Sequence, residues 1–279
     1  MKLQERTRAA FVSVRDRMDA LAIERVREEL VKLMTAPRPS VGFEILREAG
    51  MLELWLPELQ RCRGVPQNRF HAYDVYFHSL HSCDAVPPDR PIVRWAALLH
   101  DIGKPGTRVE RNGQGTFHQH EFLGAELADA ALRRLRFPND EREHIVHLVR
   151  EHMFDYQPEW SDAAVRRWLR RVRPEHVADL FDLRIADTMG NGLRAGSPAQ
   201  LDAFAGRVRR VLEQGNALGV EDLAVNGDDV MRVLGRPPGP EIGRALHALL
   251  EQVLDDPALN QRESLLHRLE SMRDEAARP

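Results

Sequence analysis

Apolar residues recur at helical spacing along most of the chain, and proline and glycine mark the breaks between these stretches. The pattern predicts helices over residues 3–35, 71–86, 119–136, 174–190, 199–214, 227–234, 240–255 and 261–275. The one strand signal is the Asn112-Gly113 dipeptide, which suits a two-residue hairpin turn. The sequence therefore predicts an all-α fold with at most one short β-hairpin.

The most apolar helix begins at Pro91 and ends on two polar residues, His100 and Asp101. Gly103 and Pro105 follow and stop the helix. A buried helix does not normally end on two adjacent side chains of ligand type unless something holds them. We interpret the pair as ligands of a divalent metal ion, and we expect the rest of the chain to supply the remaining ligands.

Nine of the twelve histidines lie between His71 and His152, a stretch of less than a third of the chain. The polar residues of ligand type that interrupt apolar helical faces are His71, Asp74, His78, His81, His100, Asp101, His118, His120, His144, His147, His152 and Asp187. Imidazoles suit first-row transition ions, and a carboxylate can bridge two such ions roughly 3.5–4 Å apart. A site for metal-assisted phosphate hydrolysis needs this mixture.

Structural explanations compete for several of these residues. A single histidine on an apolar face is most often a satisfied core residue or a partner that orients a ligand. That explanation applies to His71, His81, His144 and His147. Asp74 has the alternative of pairing with an arginine. The arginines between Arg166 and Arg173 are a solvated helix face by default, with an RNA-phosphate surface as the competing interpretation.

Charge and composition narrow the class of protein. Only three of the 40 cationic side chains are lysines, and Lys104 lies three residues after Asp101, where it can reach a phosphate. The net charge of −3 gives no overall sign of nucleic-acid binding. Two cysteines are too few for a disulfide framework or a thiolate metal site. With no apolar N-terminal segment and no apolar run near 18 residues, we expect a cytoplasmic protein without membrane contact.

The motifs resemble the HD superfamily of metal-dependent phosphohydrolases. His78, the His100-Asp101 pair and the distant Asp187 are similar to the four-part signature of that superfamily. His120 and His152 fall where its two-metal members place two further histidines. The resemblance implies an HD-domain helical fold and a divalent metal site.

A more specific resemblance extends over most of the chain. The segments 71–78, 117–121 and 147–153 are similar to the HD domain fused to some bacterial class II CCA-adding tRNA nucleotidyltransferases. Residues 24–32 resemble the neck helix of those enzymes, and residues 223–243 resemble their C-terminal region. This implies neck-like helices over 1–60, an HD phosphohydrolase domain over 61–195 and a C-terminal helical region over 196–279.

The sequence departs from that family at one point. Those enzymes carry a nucleotidyltransferase head with an Asp-x-Asp pair, and no Asp-x-Asp occurs in this sequence. We therefore expect no nucleotide addition by this chain alone. The activity implied is that of an HD phosphatase, 2′-nucleotidase or 2′,3′-cyclic nucleotide phosphodiesterase on nucleotides or RNA 3′ ends. The alternatives are a tRNA-binding module that partners a separate head, and a small-molecule nucleotidase or dNTP hydrolase.

The resemblance assigns the metal ligands, and the residue pattern adds candidates for substrate binding. The expected metal ligands are His78, His100, Asp101, His120, His152 and Asp187. Asp101 is expected to bridge and orient the attacking hydroxide, and Lys104 to stabilise the phosphate. The expected substrate-binding residues are Lys104, His118, Arg166 and Arg167. Histidine-rich ligation favours one or two ions of Mn, Fe, Co, Ni or Zn, with Mg as an alternative.

Overall fold

A computed structural model describes residues 10–11, 13–14, 17–18, 21–67, 72–111, 114–193, 199–215 and 217–276. It confirms the all-α prediction, because the one sheet among these residues is a two-stranded antiparallel hairpin. Strand β1 (Val109–Arg111) pairs with β2 (Gln114–Thr116), and Val109 lies opposite Thr116. The predicted Asn112-Gly113 turn lies outside the described residues.

The chain divides into two compact units, one made of residues 1–155 and 176–198 and the other of residues 156–175 and 199–279. The helices of the first unit are α1 (Ile23–Met34), α2 (Pro39–Glu48), α3 (Leu52–Trp55), α4 (Pro57–Gln60), α5 (Val75–Ala85), α6 (Pro91–Leu99), α7 (Lys104–Thr107), α8 (His120–Arg134), α9 (Asn139–Glu151) and α11 (Val177–Gly190). The helices of the second unit are α10 (Asp162–Val172), α12 (Ala199–Glu213), α13 (Gly227–Leu234), α14 (Pro240–Asp255) and α15 (Arg262–Ala276). No helix among the described residues combines the length and apolarity that a membrane span requires.

Helix α6 is the centre of the first unit, because every residue from Val93 to Leu99 is buried. It packs against α1, α5, α9 and α11. Its one charged residue, Arg94, donates hydrogen bonds to the carbonyl oxygens of Met34, Ala36 and Val86. A charged side chain is tolerated here because its donors satisfy carbonyls that no helix would otherwise use. Arg94 thereby ties α6 to the ends of α1 and α5.

Helix α5 starts later than the predicted range of 71–86. The side chain of Asp74 accepts a hydrogen bond from the amide of Phe77 at 2.8 Å and so caps a helix that begins at Val75. The other carboxylate oxygen of Asp74 lies 2.7 Å from the amide of Gly64 and 3.2 Å from Arg63. Asp74 is therefore a cap with an arginine partner, which is the structural alternative that the sequence left open for it.

The second unit has its own apolar core, formed mainly by α13, α14 and α15. A buried carboxylate, Asp229, joins α13 to α15: it shares a capping box with Asn226 and accepts hydrogen bonds from Arg232 and Arg262. Arg262 holds the pKa of Asp229 low, at about 2. The start of α13 is thus fixed to the start of α15 by charge as well as by apolar contact.

Candidate metal centre

Helices α5 and α11 bring the first pair of polar side chains together. His78 is fully buried in the middle of α5. A Cβ built on Gly190, at the end of α11, would lie 2.1 Å from Oγ of Ser82, so only glycine lets this part of α11 pack directly on α5. Asp187, one turn before Gly190, is thereby placed with its Oδ1 3.1 Å from Nε2 of His78.

The turn after α6 carries His100 and Asp101 to α8. Both side chains are almost completely buried. A Cβ on Gly103 would lie 2.1 Å from the carbonyl oxygen of His120 and 2.6 Å from the amide nitrogen of Gly124. The close backbone contact that glycine allows therefore sets Asp101 beside His120, the first residue of α8.

Three of the histidines share one hydrogen-bonding arrangement, in which the ring Nδ1–H donates to the carbonyl oxygen three residues earlier. The pairs are His100 with Ala97 at 2.8 Å, His120 with Phe117 at 2.7 Å and His152 with Val149 at 2.7 Å. A carbonyl can only accept, so the proton sits on Nδ1 and Nε2 is turned towards the site. This is how a protein fixes the tautomer and orientation of a histidine ligand.

The first set of potential ligand atoms surrounds Oδ2 of Asp101. Nε2 of His78 and Nε2 of His100 lie 3.4 and 3.2 Å from this oxygen and 3.1 Å from each other. Oδ1 of Asp187 approaches the same two nitrogens at 3.1 and 3.7 Å. Two imidazoles and one oxygen of Asp101 therefore lie together, and Asp187 approaches the two imidazole nitrogens from a further side.

The second set surrounds the other carboxylate oxygen of Asp101. Oδ1 lies 3.2 Å from Nε2 of His120 and 3.9 Å from Nε2 of His152. The two ring nitrogens are 3.3 Å apart. Asp101 thus belongs to both sets, with one oxygen in each.

The spacing of these atoms fits divalent ions. Bonds of about 2.0–2.1 Å keep neighbouring ligand atoms roughly 2.8–3.4 Å apart in octahedral or tetrahedral coordination. Most of the separations in both sets lie in or close to this range. The nitrogen-rich donors suit Mn, Fe, Co, Ni or Zn, so both sets are chemically able to hold such an ion.

The carboxylates control the charge of the first set. Burial opposes protonation of His100, but Asp101 and Asp187 outweigh it and raise the pKa of His100 to about 10. Burial likewise opposes ionisation of Asp101, yet His100 and Lys104 hold its pKa well below the usual value.

In the second set, burial, with help from the charge on His100, lowers the pKa of His152 to about 3. The second set therefore presents a neutral imidazole next to an ionised carboxylate.

Lys104 lies directly beside the shared carboxylate. Its Nζ donates to Oδ2 of Asp101 at 2.6 Å and to Oε1 of Gln67 at 2.7 Å. It also lies 5.5 Å from the centre of the Phe117 ring. The ammonium group is thus fixed from three sides at the edge of the first ligand set, where positive charge can neutralise a phosphate.

Three family models match successive parts of the chain. Residues 70–189 match the HD domain. The chain contains an HD domain. Residues 1–62 match a probable RNA- and SrmB-binding site of polymerase A, and residues 199–269 match a putative tRNA nucleotidyltransferase domain 2. The HD domain thus contains all six expected ligands and lies between two segments similar to parts of RNA-modifying enzymes.

Two tRNA nucleotidyltransferases are similar to this chain over most of its length. The chain is 37% identical over 241 residues to an A-adding tRNA nucleotidyltransferase of Deinococcus radiodurans, covering 82% of this chain and 54% of that protein. It is 39% identical over 236 residues to a CC-adding tRNA nucleotidyltransferase of Thermus thermophilus, covering 82% and 52%. The chain is homologous to the CCA-adding enzymes and spans about half the length of these relatives.

A solved structure supports the fold. The CCA-adding enzyme of Bacillus stearothermophilus, crystallised with CTP, superposes with a TM-score of 0.64 at 20% sequence identity. The match covers 98% of this chain and 58% of that one. At this identity the likeness shows the fold alone.

The histidines outside the two sets have other surroundings. The ring of His81 is tilted against that of Tyr73 and stacks on that of Phe77, with ring centres 4.5 and 6.4 Å away. His144 and His147 lie against the ring of His176 at 4.4 and 4.6 Å, and Nε2 of His144 is 2.8 Å from Asp179. Of the four candidates His71, Asp74, His78 and His81, only His78 reaches the HD ligand sets among the described residues, and His71 lies outside the described residues.

The remaining predicted substrate-binding residues are placed differently. His118 is exposed, two residues before His120. Arg166 is buried in the second unit and donates to the carbonyl oxygens of Leu254 and Asp255. Arg167 binds the carboxylates of Glu251 and Asp255. Both arginines thus have a structural role at the end of α14, and their contact with substrate stays a prediction.

Two residues near the HD site had no signal in the hydrophobic pattern. Gln67 lies in a polar loop, and its Oε1 accepts a hydrogen bond from Lys104. Arg184 lies one turn before Asp187 on α11 and contacts its carboxylate at 3.3 Å. The i to i+3 spacing of Arg184 and Asp187 was the one sequence feature that pointed to such a contact.

Proposed function

We propose that the HD domain of this chain is a metal-dependent phosphohydrolase that cleaves phosphomonoesters or 2′,3′-cyclic phosphates of nucleotides or RNA 3′ ends. The observation that supports it is the position of Asp101. One of its oxygens faces His78 and His100, and the other faces His120 and His152. A carboxylate shared between two histidine pairs suits two adjacent divalent ions, an arrangement common in phosphate-cleaving enzymes.

Each residue of the site has a task in this reaction. Bound divalent ions supply Lewis acidity and activate a water nucleophile. Asp101 and the four imidazoles around it would hold the ions, with Asp187 completing the first set. Lys104 places positive charge where the phosphoryl oxygens gain negative charge in the transition state.

Water is the one co-reactant that this hydrolysis needs. The water oxygen forms a bond to phosphorus, and the bond from phosphorus to the 2′ or 3′ oxygen breaks. The departing oxygen takes up a proton that the water has lost. A phosphomonoester follows the same course and releases inorganic phosphate.

The proposed substrate class rests on the neighbours of the HD domain. One flanking segment matches an RNA-binding model and the other a tRNA nucleotidyltransferase domain. The relatives are named as enzymes that add nucleotides to tRNA. RNA 3′ ends, including those of tRNA, are therefore the favoured substrates. Free nucleotides carry the same ribose phosphate ester on a smaller molecule.

The test uses the purified chain, stripped of metal and reloaded separately with Mn, Co, Ni, Zn and Mg. The substrates are 2′,3′-cyclic AMP, 2′-AMP and an RNA that ends in a 2′,3′-cyclic phosphate. We expect metal-dependent turnover that His100→Ala and Asp101→Ala each abolish, while the control His144→Ala retains it. Absence of metal-dependent turnover, or turnover that survives both ligand substitutions, would contradict the proposal.

A second candidate function is favoured by the flanking matches: the chain acts as a tRNA-binding module for a separate nucleotidyltransferase head. It predicts tRNA binding that weakens steeply with salt, because phosphate contacts release counterions. Binding of this kind, without hydrolysis under any metal, would support the module over the enzyme. The grouped metal-ligand donors favour the enzyme, since a binding module has no use for them.

A further inference from the structure

Arg184 contacts the metal-ligand set from outside through Asp187. Its Nη1 lies 3.3 Å from Oδ2 of Asp187. The other oxygen of that carboxylate faces Nε2 of His78 and of His100 at 3.1 and 3.7 Å. The guanidinium group is therefore one carboxylate away from the position that an ion of the first set would take.

The exposure of the ligands shows where the site opens to solvent. The side chain of Asp187 is 21% exposed, whereas no other ligand side chain exceeds 6%. The opening therefore lies beside Asp187. The Arg184 side chain is 30% exposed, so it is both in contact with Asp187 and accessible from solvent. An anion that reaches the first ligand set from this side comes within range of Arg184.

The guanidinium group retains donors for such an anion. Arginine carries five N–H donors in a planar fork, and among the described residues Asp187 is the one carboxylate recorded with Arg184. The buried ring of Phe154, whose centre lies 6.0 Å from the guanidinium carbon, limits its movement on one side. A planar fork of this kind matches two oxygens of a phosphate, and a lysine cannot offer the same pair of parallel bonds.

A plain helix ion pair is the competing explanation. Oppositely charged residues three apart on a helix attract weakly whether or not a site is near. That explanation accounts for the contact between Arg184 and Asp187. It does not explain why the partner, Asp187, is the most exposed member of the ligand set. Nor does it explain why the second oxygen of Asp187 is directed towards His78 and His100.

We propose that Arg184 is a substrate-binding residue of the HD site, which donates to non-bridging phosphate oxygens at the opening beside Asp187. Lys104 contacts Asp101, the other carboxylate of the same ligand set. A bound phosphate would therefore meet Lys104 beside Asp101 and Arg184 beside Asp187. The inference rests on the proposed function, because it names a contact of substrate at that same site.

The experiment compares Arg184→Gln and Arg184→Lys with Arg133→Gln in the full chain loaded with Mn. Arg133 is the matched control, because it is an arginine on α8 paired with a carboxylate one turn away, Asp129, outside the ligand sets. The readouts are KM and kcat for 2′,3′-cyclic AMP, the inhibition constant of inorganic phosphate, and the metal content of each variant.

We expect Arg184→Gln to raise KM and the phosphate inhibition constant about tenfold or more at unchanged metal content, with kcat altered less. Arg184→Lys should recover part of the loss, and Arg133→Gln should match the wild type. Unchanged KM and phosphate inhibition in Arg184→Gln would overturn the proposal. So would a loss of bound metal that alone accounts for the reduced activity, because that indicates a structural role.

Calorimetric titration of inorganic phosphate separates this inference from the proposed function. If the wild type binds phosphate in Mn buffer but turns over no substrate, the proposed function fails. Weaker phosphate binding by Arg184→Gln than by Arg133→Gln would then still support the contact. Equal binding by the two variants would overturn the contact on its own.

Discussion

Asp101 is the residue on which both ligand sets depend. Its two oxygens face different histidine pairs, and Lys104 donates to one of them at 2.6 Å. The pKa of Asp101 is held low because His100 and Lys104 outweigh the effect of burial. A permanently ionised carboxylate at this position suits a ligand that must serve two ions at neutral pH.

Replacement of Asp101 by asparagine is therefore expected to abolish metal binding at both proposed ligand sets. Asparagine keeps the shape but offers one neutral oxygen and an NH₂ group that cannot bind a cation. Hydrolysis should fall by more than about 100-fold, beyond the loss typical of residues that only orient a ligand. The measurement is turnover with metal content by mass spectrometry. Metal content equal to the wild type in Asp101→Asn would contradict the assignment of Asp101 as a shared ligand.

Single residues also show which parts of the site the sequence could predict. Residue type and position marked twelve candidate residues, and the family resemblance selected six of them as expected ligands. Folding brings the side chains of these six close to one another. Gln67 and Arg184 could not be found in this way, because which carboxylate or amine a surface side chain reaches is decided by folding. Arg166 was predicted to bind substrate because it lies in an arginine-rich stretch. It is buried and donates to the carbonyl oxygen of Leu254, 88 residues away.

At the scale of elements, the ligands depend on how closely the backbones of neighbouring helices approach. The turn at Gly103 lies against α8, and the end of α11 lies against α5 at Gly190. These contacts explain why two polar residues can end the most apolar helix in the chain. The helix periodicity was predictable from the sequence. The close backbone contacts at Gly103 and Gly190 were not, because a glycine in a sequence can equally mark a turn, a helix end or a flexible segment.

Substitution of Gly103 by alanine is expected to separate the turn from α8. The new Cβ would lie 2.1 Å from a backbone oxygen and 2.6 Å from a backbone nitrogen, neither of which can rotate away. We expect a loss of about 1–3 kcal/mol in the free energy of unfolding, together with weaker metal binding. Denaturant unfolding and metal titration measure the two effects.

Gly106→Ala is the control for that prediction. Its Cβ would meet only Cδ2 of the Leu123 side chain at 2.7 Å, and a leucine side chain can shift to another rotamer. We expect Gly106→Ala to remain closer to the wild type in both measurements. An equal loss in the two variants would show that the backbone approach at Gly103 is not what positions Asp101.

At the scale of the whole molecule, the chain consists of two compact units with different chemistry. The first holds the HD ligand sets, and the second is held together by an apolar core and the ion-paired Asp229. The all-α class was predictable because helical periodicity runs through both units. The grouping of residues 156–175 with the C-terminal residues was not, because it depends on contacts between segments far apart in sequence.

The second unit should lose stability in acid through Asp229. Its folded-state pKa of about 2 lies below the usual value of about 3.9, so its ion pairs stabilise the fold above pH 4 and are lost as the pH falls from about 4 towards 2. Asp229→Asn lacks this contribution at every pH. The difference in melting temperature between wild type and variant should therefore be largest at pH 7 and shrink by pH 3. A constant difference would contradict the role given to Asp229.

The rate of 2′,3′-cyclic AMP hydrolysis, measured while divalent metal is titrated into the metal-free chain, decides whether Asp101 serves a two-metal hydrolase. Two ligand sets joined by Asp101 predict turnover that depends on added metal and reaches its maximum near two ions per chain. A rate that stays at the uncatalysed level at every metal concentration, although ions bind, would contradict the account.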